Sequence, residues 1–507
     1  MNVQQQNVSK GRGSTDVSYL GKSIDQMIWE FMEEKRIPGL TLAIVQAPYI
    51  PRVVGYGFSD VEQRRLASTR TIWPAGLISQ GFAAIAAMQL HEKGKLGLAD
   101  RLSQYIGDIS PSWADITVLQ LMRHSTGISD YRFQNGYDAT KPYTPDALLK
   151  TVRDIPLHFE PDTDVELSAT NFLLLAEVIE KASGVSYHDF ITEHQIRFLG
   201  LEHTCFSEDL GGLHQEDLSA PGSLHALFKE QRAFVNPTEN AAGYDATGKR
   251  LPNPSSSALK GFADIWASAE DISYWDICLA GSILVEQPEN HAILYGPFKL
   301  KTGMDVPAMA GWQFYRHRGL MDIKGGVPGY SAFLSRFTDP SELVCVTLLG
   351  NKEGVDFTNL ARKIAGAFGD ALGTGYNDTT LMLYESINDV STTINKLKNE
   401  LARLNIPVFA TFDHAANAEG ADLGLRPTQV LVFGAPSVGT KLMQKNQSIA
   451  LELPLKIAVW EDESGSTWLA FPRMDLLANE YGMEEEPVIK KMQTLLESLA
   501  VMASSVY

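Results

Sequence analysis

The stretch that decides the fold is Thr71-Ile-Trp-Pro-Ala-Gly-Leu-Ile-Ser-Gln-Gly-Phe-Ala-Ala84, and Ile85-Ala-Ala-Met-Gln-Leu-His-Glu92 follows it without a break. Helical patterns of apolar residues dominate the chain from Gly81 to about Gly200. This stretch therefore predicts the entry to a long helical region. The segments on either side of it decide which fold surrounds that region.

Segments near both ends of the first 370 residues predict strands and outer helices. Strand patterns and helical spacing can be told apart by their periods of 2 and 3.6 residues. The segments are a helix at 24–34, a buried strand at 39–46 with its hairpin partner at 53–58, paired strands at 329–337 and 343–350, and a helix at 359–368. Terminal strands around a helical middle predict an α+β domain in which helices pack on one antiparallel sheet.

The domain organisation follows from composition. A chain of 507 residues is too long for one core. Strand and helix patterns alternate again after a glycine-rich, polar stretch, which predicts a second, small α+β domain. The predicted boundaries are a flexible N-terminus at 1–18, a first domain at 19–370, a linker at 371–380 and a C-terminal domain at 381–507.

Charge and composition exclude several classes of partner. The formal net charge of −18 argues against nucleic acid or an anionic membrane as a partner. No run of 18 apolar residues exists, so we expect no membrane span and a cytoplasmic protein. The three cysteines show no metal-ligand spacing, and we expect neither a metal nor another cofactor.

Taken in order, these segments resemble the class C β-lactamase and penicillin-binding-protein-like serine hydrolases. The stretch 71–84 resembles the entry to the nucleophile helix of that family, T-x-F-x-x-G-S-x-S-K-x-F-T-A. The other segments that carry the resemblance are Leu121–Tyr131, Asn171–Gly184, Leu199–Thr204, Gly261–Ile272 and Gly325–Tyr330. The resemblance implies a β-lactamase/transpeptidase-like fold, with an antiparallel sheet flanked by helices and a helical subdomain.

The same resemblance implies which residues would do the chemistry. A serine of the family attacks the acyl carbon and a lysine three residues later shares its proton, and these positions carry Leu77 and Gln80 here. The tyrosine and asparagine of a Y-x-N motif fall on Leu167 and Ala169, and the last active-site strand has Ile323 in place of histidine or lysine. Because nucleophile, base and acid are all absent, serine β-lactamase hydrolysis is not expected.

Recognition without turnover is one interpretation of these losses. Leucine and isoleucine would floor an apolar pocket, and the backbone amides at its end need no particular side chain. Such a pocket would bind a small apolar acid, ester or amide. The residues placed at this site are Leu77, Ser79, Gln80, Leu167, Asn171, Gly325 and Gly326. The other interpretation is that the leucines fill the cleft and leave a scaffold.

A rival hypothesis is an active esterase or acyl transferase that uses other residues. Ser257-Ala-Leu-Lys260 fits S-x-x-K and Lys301-Thr-Gly303 fits K-T-G, but both lie off the register of the family. Ser79 is expected to bond locally at the start of its helix. His124 is expected to be structural, and Lys324 to face away from the site.

Residues 378–505 resemble the domain-of-unknown-function 302 family, through the segments 412–418, 431–443 and 450–462. The resemblance implies a small α+β domain that commonly self-associates and has no established reaction, so a homo-oligomer through this domain is expected. Asp413 and His414 are its candidate polar site. Phe433–Thr440 is a poor phosphate loop because Pro436 removes an amide donor.

Overall fold

The computed structural model describes residues 9–13, 17–46, 49–210, 239–306, 308–309, 312–315, 320–337, 344–368, 381–463, 465–474, 477–478, 481–483 and 486–504. The chain divides into an N-terminal unit of residues 1–314 and 318–374 and a C-terminal unit of residues 315–317 and 375–507. The linker expected at 371–380 lies outside the described residues. Across the described ranges, no helix is long and apolar enough to cross a membrane.

Two sheets organise the N-terminal unit. Their strands are β1 (Ser9–Gly13), β2 (Gly39–Gln46), β3 (Tyr49–Asp60), β4 (Arg65–Leu66), β5 (Thr71–Pro74), β6 (Thr204–Phe206), β7 (Glu239–Asn240), β8 (Ile265–Ala267), β9 (Ala308–Met309), β10 (Trp312–Tyr315), β11 (Leu320–Val327), β12 (Tyr330–Phe337) and β13 (Val344–Gly350). The large sheet has the order β1-β3-β2-β13-β12-β11-β10-β9, with β4 paired to β3. The small sheet has the order β6-β8-β5-β7.

The helices of the N-terminal unit are α1 (Ile24–Lys35), α2 (Ile78–Glu92), α3 (Val118–Arg123), α4 (Pro145–Lys150), α5 (Ala169–Ser183), α6 (Tyr187–Ile191), α7 (Ala269–Ala280), α8 (Pro288–Tyr295) and α9 (Thr358–Gly366). The predicted α+β class is therefore confirmed. All residues of β12 and β13 are buried, so helices and loops cover both faces of the sheet at its centre.

The N-terminus corrects one expectation. Residues 1–18 were expected to be loose, but this is wrong for Ser9–Gly13, which pair antiparallel with β3 from Tyr56 to Arg52. An edge strand is held by backbone hydrogen bonds and needs no apolar side chain. The polar composition of Ser-Lys-Gly-Arg-Gly therefore gave no signal of the strand.

Helix α2 is the core element that positions the site. Every residue from Ile78 to Leu90 is buried, and a helix that is buried all round belongs inside the core. It contacts α5 and the strands β11 and β12. The residues that begin α2 are therefore held between the helical subdomain and the large sheet.

The C-terminal unit is a five-stranded antiparallel sheet with helices. Its strands are β14 (Leu381–Ser386), β15 (Val408–Asp413), β16 (Thr428–Phe433), β17 (Leu455–Glu461) and β18 (Thr467–Pro472), in the order β14-β18-β17-β16-β15. Its helices are α10 (Val390–Arg403), α11 (His414–Glu419), α12 (Pro436–Lys445) and α13 (Pro487–Ser504). The small α+β domain predicted here from the sequence is confirmed.

Candidate functional site

The candidate site lies where the start of α2 meets strand β11. Gly76 has a φ of +56°, a left-handed conformation that residues with a Cβ rarely adopt. A Cβ at residue 76 would also lie 3.3 Å from the carbonyl oxygen of Gly325. Two glycines thus let the loop before α2 and the strand approach through their backbones.

Leu77 fills the space between that loop and the strand. Its side chain is 8% exposed and belongs to the main hydrophobic cluster. A Cβ placed on Gly325 would come within 2.6 Å of Leu77 Cγ and Cδ1, which no structure tolerates. The hydrocarbon of Leu77 therefore lies directly on the strand residue whose backbone would face a bound acyl group.

Ile323 points towards the first turn of α2. It is fully buried, and its Cδ1 lies 3.8 Å from the position of a Cβ on Gly81. Its neighbours in the strand, Asp322 and Lys324, face the other way, and Asp322 accepts a hydrogen bond of 2.5 Å from Arg362. On the side of the strand that faces the site, residue 323 therefore presents an aliphatic side chain instead of a cation.

Gln80 is held by a buried histidine. His124 Nδ1 accepts hydrogen bonds from the amide of Ser168 at 3.3 Å and from Asn171 Nδ2 at 3.2 Å. A nitrogen that accepts carries no proton, so the proton of the neutral ring lies on Nε2. Nε2 then donates to Gln80 Oε1 at 3.1 Å.

His124 stays neutral because it is buried. Complete burial lowers its pKa to about 3, and the charge of Arg132 acts in the same direction. Thr126 Oγ1 donates to Asn171 Oδ1 at 2.7 Å and completes the network. A neutral amide suits position 80 beside this ring, whereas an ammonium would have to be buried without a carboxylate partner in the network.

Two polar atoms of this network have no hydrogen-bond partner in the described part of the chain. They are Gln80 Nε2 and Ser168 Oγ, and both residues are almost completely buried. Each sits beside His124 through a bond made by another atom of the same residue. The network therefore has unused donors, but no group in it that takes a proton from a nucleophile.

Leu167 and Ala169 stand where the Y-x-N motif was expected. Leu167 is half-buried and packs against the main hydrophobic cluster. Ala169 is fully buried at the start of α5, and its amide donates to Asp130 Oδ2 at 3.0 Å. Neither residue offers an acid or a base to the site.

Ser79 differs from its expectation. Its Oγ accepts a hydrogen bond of 3.2 Å from the amide of Ile265, in strand β8, so the prediction of a local bond is wrong. The buried hydroxyl instead ties α2 to the small sheet. Sequence spacing could not show this because the two residues are far apart in the chain.

The off-register motifs are occupied by structural contacts. Lys260 Nζ binds Glu177 at 2.7 Å and Glu180 at 2.8 Å, and these hydrogen bonds raise its pKa against the opposing effect of burial. Ser257 Oγ accepts from the amide of Tyr143 at 3.1 Å. Lys301 Nζ donates to the carbonyl of Pro161. Neither motif brings a lysine to a serine.

A serine, a histidine and a glutamate that the sequence did not single out lie together beside the network. Ser129 Oγ is 2.9 Å from His158 Nε2, and His158 Nδ1 is 2.6 Å from Glu166 Oε2. Glu166 directly precedes Leu167 in the chain. The three come from two loops with no shared motif, so only the folded chain reveals them.

The polar pair of the C-terminal unit has a structural explanation. Asp413 Oδ1 accepts from the amide of Ala416 at 3.0 Å and caps α11, and its Oδ2 accepts from Gln429 Nε2 at 3.1 Å. His414 is exposed. Among the described residues, no group of three histidine, cysteine or acidic side chains could hold a metal ion.

Comparison with known protein families identifies a match for each of the two units. The family model described as beta-lactamase matches residues 24–368. A second family model, described as domain of unknown function DUF302, matches residues 383–499. The two matches fall on the N-terminal and the C-terminal unit.

Individual relatives show the same division. Penicillin-binding protein 4* of Bacillus subtilis is 24% identical over 339 residues, which cover 65% of this chain and 71% of the relative. Fluoride-specific ion channel FluC 1 of Brucella suis is 38% identical over 119 residues, 23% of this chain and only 47% of that relative. The chain thus spans less than half the length of the channel protein.

A solved structure shares the fold. The octameric penicillin-binding protein homologue from Pyrococcus abyssi aligns with a TM-score of 0.56 at 19% identity, covering 88% of this chain and 89% of that one. A class C beta-lactamase aligns with a TM-score of 0.53 at 18% identity, covering 67% and 94%. At these identities the likeness concerns the fold alone.

Proposed function

This chain belongs to the beta-lactamase family, and from that premise we propose that it is catalytically degenerate at the family's own site and acts as a small-molecule-binding or assembly module. The observation that carries the proposal is the contact between Leu77 and Gly325, which puts a hydrocarbon side chain where an acyl group would meet a nucleophile. A leucine has no nucleophilic atom. Residue 77 therefore cannot form the acyl-enzyme bond with which the family's reaction starts.

The loss extends beyond the nucleophile. Gln80 binds His124 through its carbonyl oxygen and cannot accept a proton from a hydroxyl. Removal of the nucleophile and base of a serine hydrolase costs on the order of 10⁶ in turnover. Leu167 and Ala169 add the loss of the acid, and we therefore propose that β-lactam turnover is absent.

The proposed ligand is a small apolar acid, ester or amide. Leu167 is half-buried and Gly326 is exposed, so the mouth of the site has apolar and amide groups at the surface. Neutral or weakly charged ligands suit a chain with a net charge of −18 better than polyanions do. Nucleic acid and membranes are not proposed as partners.

The proposed assembly surface is the second face of the C-terminal sheet. The core of that unit takes alternate residues from β16, β17 and β18, and the residues between them lie outside its hydrophobic cluster. Strand pairing aligns one row of these across the whole sheet: Phe412, Val430, Ala458, Ala470 and Leu383. We name this row the apolar row. An apolar sheet face of this kind fits a second copy of the chain.

Self-association is supported by one relative. The Pyrococcus abyssi homologue is described as octameric, and we propose that this chain also forms homo-oligomers, here through the apolar row. Phe412 is 50% exposed and lies on the edge strand β15. An exposed aromatic ring at an edge strand is stabilised when a partner covers it.

Two measurements on the full-length protein test the proposal. Light scattering after size exclusion should give a mass that is a multiple of 55.8 kDa. A panel of short aliphatic acids, esters and amides should raise the melting temperature, and Leu167→Asn should abolish that shift. Leu199→Asn is the matched control, because Leu199 is also a half-buried leucine packed on the core. A monomeric protein whose melting temperature changes with no compound of the panel would refute the proposal that the chain is a binding or assembly module.

A further inference from the structure

We propose that Ser129, His158 and Glu166 form a second acyl-transfer centre, which hydrolyses small neutral esters. The two distances, 2.9 Å from serine to histidine and 2.6 Å from histidine to glutamate, are those of a nucleophile, a base and an orienting acid. This centre uses none of the positions at which the family carries its catalytic groups. It is therefore independent of the loss at Leu77.

The proton positions follow from the partners. A glutamate carboxylate only accepts hydrogen bonds, so His158 Nδ1 carries the proton of the neutral ring and donates it to Glu166 Oε2. His158 Nε2 then carries no proton, and its lone pair accepts a hydrogen bond from the hydroxyl of Ser129. This is the tautomer that a general base requires.

Backbone hydrogen bonds hold the two loops in place. The amide of His158 donates to the carbonyl of Gly127 at 2.8 Å, and the amide of Glu166 donates to the carbonyl of His124 at 3.0 Å. Thr170 Oγ1 donates to the carbonyl of Ser129 at 2.7 Å. The three side chains are thus carried by a tied pair of loops, which keeps their geometry fixed.

Access to solvent differs along the three residues. Ser129 is 4% exposed, whereas the side chains of His158 and Glu166 are 45% and 48% exposed. The solvent-facing part of the proposed centre is therefore formed by His158 and Glu166, and Ser129 lies behind them. Exposure to water weakens the hydrogen bond between His158 and Glu166, so we expect a slow hydrolase.

The reaction balances without a cofactor. Ser129 Oγ attacks the ester carbonyl carbon while its proton moves to His158 Nε2. The carbon–oxygen bond to the alcohol breaks, and the alkoxide leaves with that proton as an alcohol. Water then adds to the acyl-serine, gives a proton to the same nitrogen and releases the acid, and Ser129 recovers its proton.

Two backbone amides next to the nucleophile are available to stabilise an oxyanion. Within the described ranges, the backbone amides of Ser129 and Asp130 donate to no other group. The carboxylate of Asp130 is engaged by Arg132 at 2.6 Å, so its charge is compensated. Amides next to the nucleophile are the usual donors to a developing oxyanion. The neighbouring Glu166 carboxylate disfavours anionic esters, which leaves neutral ones.

The experiment exposes the full-length protein to a fluorescent fluorophosphonate and to p-nitrophenyl acetate. Labelling should map to the peptide that contains Ser129, and Ser129→Ala should abolish it. His158→Asn should slow labelling and ester hydrolysis by about 100-fold, the share of a general base.

Matched controls separate chemistry from structure. His188 forms a similar 2.6 Å pair with Asp209 at the surface without a serine at its other nitrogen, so His188→Asn should leave the labelling unchanged. Ser129→Cys nearly keeps the volume of the side chain. The new thiol should react with a thiol-directed probe faster in this single variant than in the double variant that also carries His158→Asn. Absence of labelling on folded protein, or labelling of a different serine, would overturn the proposal.

Discussion

The side chain of Leu77 and the backbone of Gly325 are in direct contact, so that residue 325 has no room for even a Cβ atom. Leu77 directly precedes the helix α2, and Gly325 lies in the strand β11. On the register of the family, the nucleophile and the substrate would meet at this contact. We therefore propose that packing, and not only the loss of a hydroxyl, blocks the family's reaction in this chain.

Gly325→Ala should destabilise the fold. The added Cβ would meet Leu77 Cγ and Cδ1 at 2.6 Å, and overpacking of this kind costs about 1–3 kcal/mol of unfolding free energy. In a Leu77→Ala background the same substitution should cost much less, because the clash is gone. Chemical denaturation of the four proteins of this cycle measures the coupling. Gly107→Ala, which meets no atom within 4 Å, is the control.

Leu77→Ser with Gln80→Lys should not restore β-lactam acylation. The acid is still missing at Leu167, and the strand still presents Ile323. The new ammonium would also lie beside the neutral ring of His124, in a buried network without a carboxylate. Intact-protein mass after exposure to a penicillin checks this, with Leu77→Ser alone as the variant that keeps the network. An adduct on residue 77 would show that these positions matter less than we infer.

The stability should depend on pH through Asp264. Burial raises its pKa from 3.8 to about 7, the amide of Gly261 opposes that rise, and Lys260 and Glu208 supply the nearby charges. The native state keeps the proton over this range, so this carboxyl's contribution to stability is lost as pH rises from about 4 through about 7. The slope is at most about 1.4 kcal/mol per pH unit.

His124 acts in the opposite direction. Its pKa is lowered from 6.5 to about 3. Its contribution to stability is therefore present above pH 6.5 and is lost as the pH falls from 6.5 towards about 3. The two effects offset each other in the wild type. Asp264→Asn removes the carboxyl's effect and keeps that of His124, and denaturation at several pH values should show that this variant loses stability on acidification more steeply than the wild type. Parallel pH profiles would contradict the assignment.

Phe412→Asp should shift the chain towards the monomer. A carboxylate in the apolar row would be buried against a partner copy, which costs several kcal/mol. Leu423→Asp is the matched control, because Leu423 is 67% exposed in the same unit but lies outside the sheet. Sedimentation of both variants across a concentration series measures the effect. An unchanged association constant for the Phe412 variant would remove the apolar row from the interface.

The sequence predicts those parts of the molecule that rest on apolar periodicity. Helix α1 buries apolar residues at helical spacing, strands β2, β12 and β13 are almost completely buried, and each element appears where it was expected. The edge strand β1 was missed because pairing through the backbone leaves no trace in side-chain pattern.

The candidate site was predictable only where a family motif marked it. Leu77, Gln80 and Ile323 could be placed by register, but the contact of Leu77 with Gly325 depends on tertiary approach. Ser129, His158 and Glu166 carry no common spacing, so no rule of sequence brings them together. Their proximity is a property of two loops that hydrogen bonds tie to each other.

The most direct test of the central claim is the intact mass of the wild-type protein after prolonged exposure to a chromogenic cephalosporin. Because Leu77 fills the family's acylation site, we predict an unchanged protein mass and no colour change. A mass increase equal to the acyl group of the cephalosporin, or turnover of the reagent, would contradict the claim that this chain has lost β-lactamase chemistry.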